Sequence, residues 1–272
     1  MLIYQLQPSD IPAIAPLFAG WEESLIWSCL QGCMGEAWAD RKENPESARI
    51  ILGDFCYLAG KVHTGLIEQK PAQRSSDFII MVPSQQGCGD WAKAIEHIYG
   101  SGCRRVERYA IKKEPGIFRK PYLTEIVASL PQGYELKLMD ADVYRQTRES
   151  SWAADFTAQF ATYEDYRKRG LGVAILKDGI LIAGASSYSV YNGGIEIEIA
   201  TRKDYRRKGL ATICGARIIL ECMDRNLYPS WDAQNKWSVA LAEKLGYHYE
   251  RTYPAFEIYA FGSPQAQGLA EP

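Results

Sequence analysis

Apolar residues recur along the chain at two spacings, and each spacing predicts a different element. The stretch VAILKDGILIAGASSYSV (173–190) is largely apolar and is interrupted at Asp178-Gly179, a dipeptide typical of hairpin turns, which predicts two adjacent strands. IEIEIAT (195–201) alternates apolar and polar residues with the period of a strand. GLATICGARIILECM (209–223) is apolar almost all round, which is typical of a helix packed against a sheet. We therefore expect a strand, a loop and a buried helix in succession.

The rest of the chain alternates between helical and strand-like segments. The predicted helices are 10–19, 23–39, 91–100, 121–130, 141–150, 154–168 and 235–245, and the further predicted strands are 48–60, 77–83, 105–111, 134–140, 227–233 and 247–260. This alternation predicts an α/β (α+β) fold. The segment 262–272 is rich in glycine, proline and glutamine, which predicts a disordered tail.

Composition narrows the function classes. The formal net charge of −2 lacks the basic excess that nucleic-acid or anionic-membrane binding would leave, so neither partner is expected. No apolar run approaches the roughly 18 residues needed to span a bilayer, and no secretory signal is visible. The seven cysteines lack framework spacing, which indicates free thiols and a cytoplasmic location. The three histidines are scattered and no Cys-x-x-Cys occurs, so no metal site is expected.

Two near-copies of one glycine loop, DYRKRGLG (165–172) and DYRRKGLA (204–211), compete for the role of a phosphate site. A phosphate cradle needs a strand that leads into it and a helix that leaves it with free N–H groups. The first copy follows a helical pattern and enters a strand, so its glycines are expected to end a helix in left-handed geometry. The second copy follows a strand and opens a helix. Cations there oppose the helix dipole by about 0.3–1 kcal/mol each, so an anionic ligand explains Arg206, Arg207 and Lys208 better than a solvated surface does.

A second pattern lies downstream, where residues 235–247 read NKWSVALAEKLGY. This segment fits the pattern Asn-x-x-(Ala/Ser)-x-x-Leu-x-x-Lys-x-Gly-(Phe/Tyr), most of it on a predicted helix. The residues that match it include Asn235, Ser238, Lys244 and Tyr247. The two patterns together, in this order, resemble the GNAT superfamily of acyl-CoA N-acyltransferases. A narrower likeness, carried by PSWD (229–232), is to the branch that includes the zwittermicin A resistance acetyltransferase.

The resemblance implies a mixed, mostly antiparallel GNAT-type sheet flanked by helices, with acetyl-CoA (coenzyme A) as co-substrate and no metal. It implies a catalytic domain over 136–261 that binds acyl-CoA, preceded by an N-terminal α/β half over 1–135. The residues it implies for coenzyme A binding are Ile199, Ala200, Thr201, Arg206, Arg207, Lys208, Gly209, Leu210, Ala211, Thr212, Asn235, Ser238 and Lys244.

The N-terminal half repeats the order strand, glycine loop, helix and strand between residues 77 and 111. Ser84 stands where the family pattern has arginine or glutamine, and Asp90 would repel a pyrophosphate. We interpret this half as a degenerate copy that shapes the acceptor side.

Acetyl transfer to an amine requires a base, because an alkylammonium must lose a proton before it attacks. Glu196 and Glu198, on the strand that enters the loop, are the candidates, and the sequence does not choose between them because a β-bulge would exchange their faces. The alternative is that they form an exposed polar face. Tyr247 is the candidate acid for the leaving thiol, because the family's usual tyrosine position is Ala242 here; the alternative is that Tyr247 is a core aromatic and the thiolate leaves without an acid.

Trp231 and Asp232 are candidates for the acceptor pocket, where Asp232 would attract an amine; alternatively, Asp232 caps the helix that begins near Asn235. The resulting prediction is an enzyme that moves an acetyl group from acetyl-CoA to a primary amine of a small molecule by direct attack. The rival prediction is a non-catalytic acyl-CoA-binding or regulatory module, which the missing tyrosine favours.

Overall fold

The computed structural model describes residues 2–69, 78–84 and 88–259, so the predicted tail 262–272 and part of the glycine segment 84–90 lie outside the described residues. The chain divides into two compact units. Unit 1 comprises Met1–Glu107 and Tyr253–Pro272, and unit 2 comprises Arg108–Thr252. Unit 1 is therefore assembled from both ends of the chain.

Unit 1 is built on a sheet with the strand order β1-β2-β3-β4-β5-β13-β6. Its strands are β1 (Tyr4–Gln5), β2 (Glu36–Ala39), β3 (Ser47–Leu52), β4 (Phe55–Gly60), β5 (Ile79–Pro83), β6 (Cys103–Ile111) and, from the C-terminal part of the chain, β13 (Tyr249–Ile258). Its helices are α1 (Ser24–Leu30), α2 (Thr64–Glu68) and α3 (Cys88–Tyr99), with 3₁₀ helices at Ile11–Phe18 and Gly100–Gly102. β4 and β5 are parallel, whereas the pairs β1–β2, β2–β3, β3–β4 and β5–β13 are antiparallel.

The core of unit 1 forms where α3 meets this sheet. Every residue of β3 is buried, as in a strand that is covered on both faces. Trp91 and Ile95 of α3 pack with Met81 of β5 and Phe256 of β13. The Trp91 indole N–H also donates a hydrogen bond to the Gly60 carbonyl (3.0 Å), so the polar atom of this large buried side chain is satisfied.

Unit 2 contains a five-stranded sheet with the order β11-β10-β9-β8-β7. The strands of unit 2 are β7 (Glu135–Leu138), β8 (Gly172–Lys177), β9 (Ile180–Tyr191), β10 (Gly194–Thr201), β11 (Tyr228–Ser230) and β12 (Asp232–Ala233), and β12 pairs with the end of β6. The helices are α4 (Lys120–Ala128), α5 (Ala141–Glu149), α6 (Tyr163–Arg169), α7 (Leu210–Asp224) and α8 (Lys236–Lys244), with 3₁₀ helices at Ser151–Phe156 and Lys203–Tyr205. β10 and β11 are parallel, and the other pairs of this sheet are antiparallel. The expected mixed, mostly antiparallel sheet with flanking helices is confirmed.

Four sequence predictions were wrong in detail. The predicted strand 48–60 is two antiparallel strands, β3 and β4, with Gly53 and Asp54 between them. The predicted helix 23–39 ends at Leu30, because Gly32 and Gly35 have φ of 71° and 94° and the chain then enters β2. The predicted helix 154–168 is two shorter helices, and the second begins where the Thr162 side chain accepts a hydrogen bond from Asp165 N. The predicted strand 227–233 is broken between β11 and β12.

Among the described residues, no helix has the length and apolar character needed to cross a bilayer.

Candidate active site

The bend between β10 and α7 leaves backbone amides exposed. Gly209, the residue before α7, adopts the left-handed conformation (φ 78°), and Arg207, two residues earlier, is also left-handed (φ 60°). The first helical hydrogen bond of α7 runs from Ile213 N to Gly209 O (3.2 Å). The N–H groups of Leu210, Ala211 and Thr212 therefore have no acceptor within the helix, and Gly209, at the N-cap position, has no side chain to cap them. This is the arrangement that binds anions at helix N-termini.

Space above this bend is open. A Cβ added at Gly209 would meet no atom within 4 Å, so a ligand can approach the backbone there. The basic residues Arg206–Lys208 are exposed, and the Arg206 Nε donates to the Thr201 carbonyl (3.2 Å), which ties the loop to the end of β10. Lys208 Nζ lies 4.7 Å from the ring centroid of Tyr205. Thr201 Oγ1 is buried and finds no hydrogen-bond partner among the described residues. The loop thus combines free amides, positive charge and an unsatisfied hydroxyl.

The strand that leads into this loop separates from its neighbour. β10 pairs with β11 only over Gly194–Glu196, whereas its pairing with β9 continues to Thr201. Ile199 of β10 turns toward α7, where its Cδ1 would lie 3.5 Å from a Cβ at Gly215. Residues 199–201, predicted to bind coenzyme A, therefore lie beyond the point where the parallel pairing stops.

The earlier look-alike loop has a different geometry. It ends α6 as predicted, but its glycines are not left-handed: Gly170 has φ of −81° and an extended conformation. The glycines are required by packing instead. A Cβ at Gly170 would lie 2.6 Å from Cδ2 of Tyr166, and a Cβ at Gly172 would overlap the hydroxyl of the same tyrosine. The segment 165–172 is therefore a close-packed helix end.

Glu196 and Glu198 lie two residues apart on β10 and differ in burial. Glu196 is only 7% exposed, whereas Glu198 is half-buried. The pairing between β9 and β10 shifts register after Glu196, and the extra residue is Tyr188 of β9. The bulge thus belongs to β9, so β10 keeps one residue per step and both glutamates remain on one face.

The pattern at 235–247 also lies on the expected elements. The Asn235 side chain accepts a hydrogen bond from Ser238 N (3.0 Å) and caps α8. The Trp231 indole donates to Ser238 Oγ (3.0 Å), so these two predicted site residues contact each other. Lys244 is exposed at the last residue of α8. The Tyr247 hydroxyl is buried and donates to the Pro229 carbonyl (2.6 Å), and burial raises its pKa well above the usual value.

The alternative of Asp232 as a helix cap is wrong, because Asn235 caps α8. Asp232 instead forms an ion pair with Arg108, whose Nε donates to its carboxylate (2.7 Å). Arg108 is only 7% exposed and lies on β6, which pairs with β12. The acidic group therefore neutralises a buried guanidinium.

Comparison with known proteins agrees with this geometry. The family model described as GNAT acetyltransferase matches residues 15–256. The chain belongs to the GNAT acetyltransferase family.

Individual relatives agree with the assignment. A GCN5-related N-acetyltransferase-like protein from Streptococcus suis has a crystal structure that superposes with a TM-score of 0.86 at 40% identity, covering 92% of this chain and 98% of that one. The uncharacterized N-acetyltransferase YdfB of Bacillus subtilis is 28% identical over 174 residues, and this match spans 63% of each protein. A tandem GNAT protein from the clavulanic acid biosynthesis pathway shares the fold alone (TM-score 0.56, 11% identity, 94% and 97% coverage).

Two residues near the GNAT site escaped sequence analysis. Arg108 lies far from both motifs in sequence, and only the pairing of β6 with β12 brings it to Asp232. Tyr191 follows the hairpin strand that was predicted to end at residue 190, and its hydroxyl lies 2.8 Å from Ser230 Oγ. No local signal could have revealed either contact, because each one depends on strand register.

Proposed function

We propose that this GNAT acetyltransferase moves an acetyl group from acetyl-CoA to a primary amine of a small molecule by direct attack. The observation that carries the proposal is the bend at Gly209, where three helix-terminal amides, exposed basic side chains and open space occur together. A pyrophosphate matches this combination in charge and in hydrogen-bonding capacity.

The coenzyme would be held in two parts. Its pyrophosphate would accept hydrogen bonds from the amides of residues 210–212, with Arg206, Arg207 and Lys208 supplying charge. Its pantetheine arm would follow β10 past Ile199–Thr201, where the pairing with β11 has ended and backbone groups can hydrogen-bond a ligand. Asn235, Ser238 and Lys244 on α8 are proposed as the opposite side of that channel.

The reaction removes two protons from the acceptor nitrogen and returns one to the sulfur. The acceptor ammonium gives a proton to Glu196 or Glu198, and its nitrogen lone pair attacks the thioester carbonyl. The tetrahedral intermediate then has an oxyanion and a protonated nitrogen; it collapses, the C–S bond breaks, the nitrogen loses its second proton to solvent, and coenzyme A leaves as a thiolate that takes up a proton. Tyr247 remains the proposed donor of that proton. Its raised pKa keeps the hydroxyl protonated, but the hydrogen bond to Pro229 O has to be given up for the donation.

Trp231 and Asp232 are proposed to border the acceptor. The Asp232–Arg108 pair leaves less net negative charge than an isolated carboxylate would, so attraction of the amine rests more on Glu196 and Glu198 than the sequence suggested. The narrower kinship with the zwittermicin A resistance branch is likewise a proposal. A cytoplasmic location is proposed from the cysteines, because the six whose side chains the structure describes are free thiols.

A non-catalytic acyl-CoA-binding module is the second candidate, because Ala242 occupies the family's tyrosine position and is buried. Isothermal titration calorimetry with acetyl-CoA, followed by thiol release across a panel of small primary amines, separates the two. We expect both binding and thiol release. Binding without turnover on any amine would favour the second candidate, and absence of binding would contradict both.

A further inference from the structure

A row of polar side chains crosses three strands at Glu196. Glu196 is directly opposite Ser189 on the antiparallel strand β9 and opposite Ser230 on the parallel strand β11. Residues paired across strands point to the same face, and neighbouring strands lie roughly 4.8 Å apart. Both serines are fully buried. Glu196 therefore has a buried hydroxyl on each side.

One side of this row is fixed by a tyrosine that crosses the strand. Tyr191 of β9 is opposite Gly194, and a Cβ at Gly194 would overlap the Tyr191 hydroxyl. The missing side chain lets the ring pass over β10 and reach Ser230 Oγ on β11 (2.8 Å). Burial, with a smaller contribution from the charge of Glu196, raises the pKa of Tyr191, so the hydroxyl stays protonated.

The other side of the row has hydrogen-bonding capacity that the protein does not use. Ser189 Oγ is buried and finds no partner among the described residues. Buried hydroxyls are normally hydrogen-bonded, and polar groups left over by the protein are the usual sites of ordered water. The acidic side chain next to Ser189 in the row is Glu196.

The second glutamate has different neighbours. Glu198 is opposite Ser186, and that serine is satisfied by the protein, because its Oγ donates to the Phe156 carbonyl (2.7 Å) and lies 2.8 Å from the Tyr166 hydroxyl. Ser186 thus has little capacity left for a ligand. The asymmetry between the two serines distinguishes the two glutamates.

We propose that Ser189 is a positioning residue, which holds a water molecule between the acceptor nitrogen and the carboxylate of Glu196. This inference rests on the proposed function and deepens it, because it selects Glu196 as the base. The water receives a proton from the acceptor ammonium and passes one of its own to Glu196, so an N–H bond breaks and an O–H bond forms on the carboxylate. Ser189 keeps its proton throughout. The Tyr191–Ser230 hydrogen bond lies on the other side of Glu196 in the row.

The test replaces one serine hydroxyl and one matched tyrosine hydroxyl. Ser189→Ala should lower kcat by about tenfold with the fastest amine of the panel, which is a part of the roughly 10²–10⁴-fold that general-base assistance supplies. It should leave the Kd for acetyl-CoA unchanged. It should also move the acid limb of the kcat/KM profile to higher pH, because the carboxylate loses hydrogen bonding to its charged form. Tyr166→Phe removes the hydroxyl of another buried Tyr–Ser pair, whose Ser186 is opposite Glu198, and should leave the limb in place.

The titratable side chains that surround Glu196 complicate a pH profile, so a second readout is needed. They are Glu198 on the same strand, Tyr191 from β9, Tyr228 from β11 and Tyr247 after α8. Carbon-13 NMR of glutamate-labelled protein, with the Glu196 carboxyl signal assigned by Glu196→Gln, follows one group directly. Its titration midpoint should rise in Ser189→Ala and stay constant in Tyr166→Phe.

Failure of the proposed function and failure of the positioning role of Ser189 give different results. If the wild-type protein binds acetyl-CoA but acetylates no amine, the proposed function fails, and the NMR titration still tests whether Ser189 influences the carboxylate of Glu196 through the proposed water. If the wild-type is active but Ser189→Ala has unchanged kcat, limb and titration midpoint, the positioning role is refuted. A shifted limb in Tyr166→Phe, with Ser189→Ala unchanged, would assign the base to Glu198 instead. Thermal melting should show both variants folded, and Ser189→Cys, whose thiol is only a weak hydrogen-bond donor, is the substitute if Ser189→Ala is not.

Discussion

Substitution of Gly209 tests the coenzyme site most directly. Gly209→Glu places a carboxylate in the open space above the bend, where no protein atom lies within 4 Å of the new Cβ. Two separate costs follow. The left-handed backbone costs any non-glycine residue about 1–2 kcal/mol of folding stability. The charge does not affect folding by contact, but it opposes a bound pyrophosphate.

The electrostatic cost can be estimated. Two unit charges 4 Å apart repel by roughly 1 kcal/mol in water and roughly 4 kcal/mol at an effective dielectric constant of 20. Because about 1.4 kcal/mol corresponds to tenfold in affinity, we expect the Kd for acetyl-CoA to rise by at least about fivefold and at most about a thousandfold. The effect should shrink as salt is added, since exposed charges are screened.

Gly116 provides the matched control. It has φ of 82°, close to the 78° of Gly209, and its Cβ direction is equally open. It lies four residues before Lys120, which pairs with Asp224 at the far end of α7. Gly116→Glu should therefore share the loss of stability and keep the affinity. Gly209→Gln separates size from charge.

Calorimetric titration of acetyl-CoA into the three variants and the wild type measures both effects, with thermal melting to follow stability. If Gly209→Glu binds as tightly as Gly116→Glu, no pyrophosphate lies at the bend and the proposed coenzyme site is wrong. If Gly209→Gln loses as much affinity for acetyl-CoA as Gly209→Glu does, the electrostatic argument is refuted, but the proposed coenzyme site is not.

Three further outcomes follow from the structure. Glu196→Gln and Glu198→Gln should both keep acetyl-CoA affinity, while Glu196→Gln loses about 10²–10⁴-fold in kcat; wild-type rates of steady-state thiol release in both variants would exclude a carboxylate base. Gly172→Ala should lower the free energy of unfolding by roughly 1–3 kcal/mol, because the new Cβ overlaps the buried hydroxyl of Tyr166 in α6. Calorimetry should find the affinity for acetyl-CoA unchanged. Asp232→Asn should lower the free energy of unfolding, measured with denaturant, by roughly 3 kcal/mol, because the buried guanidinium of Arg108 in β6 loses the carboxylate of this ion pair. Asp224→Asn, in an exposed pair, should change little.

The sequence predicts best where local chemistry decides the structure. The hairpin turn at Asp178-Gly179, the strand before the loop and the helix after Gly209 all lie where the pattern places them. Each depends on residues that are neighbours in the chain: a dipeptide that accepts positive φ, an alternating run, and a glycine that opens a helix.

Predictions failed where a distant residue decides the conformation. Residues 36–39 form a strand because they pair with β1 and β3, and no local pattern announces either partner. Gly170 and Gly172 were expected to be glycines for a left-handed turn, yet Tyr166 excludes a side chain at both positions. The helix-cap alternative for Asp232 failed for the same reason, since its partner Arg108 lies on a strand 124 residues earlier. Strand register and side-chain packing depend on residues that are distant in the sequence, so a segment of about ten residues does not predict them.

The placement of β13 has a consequence for how the protein is made. This strand lies between β5 and β6 in the sheet of unit 1, with Phe256 paired to Met81, although it is among the last parts of the described chain to be synthesised. During translation, the sheet that begins with β1 must wait for the ribosome to deliver its missing inner strand after all of unit 2 has emerged. Nascent chains arrested before residue 249 should therefore expose an open edge on β5, and such intermediates would need protection from aggregation until the final strand arrives.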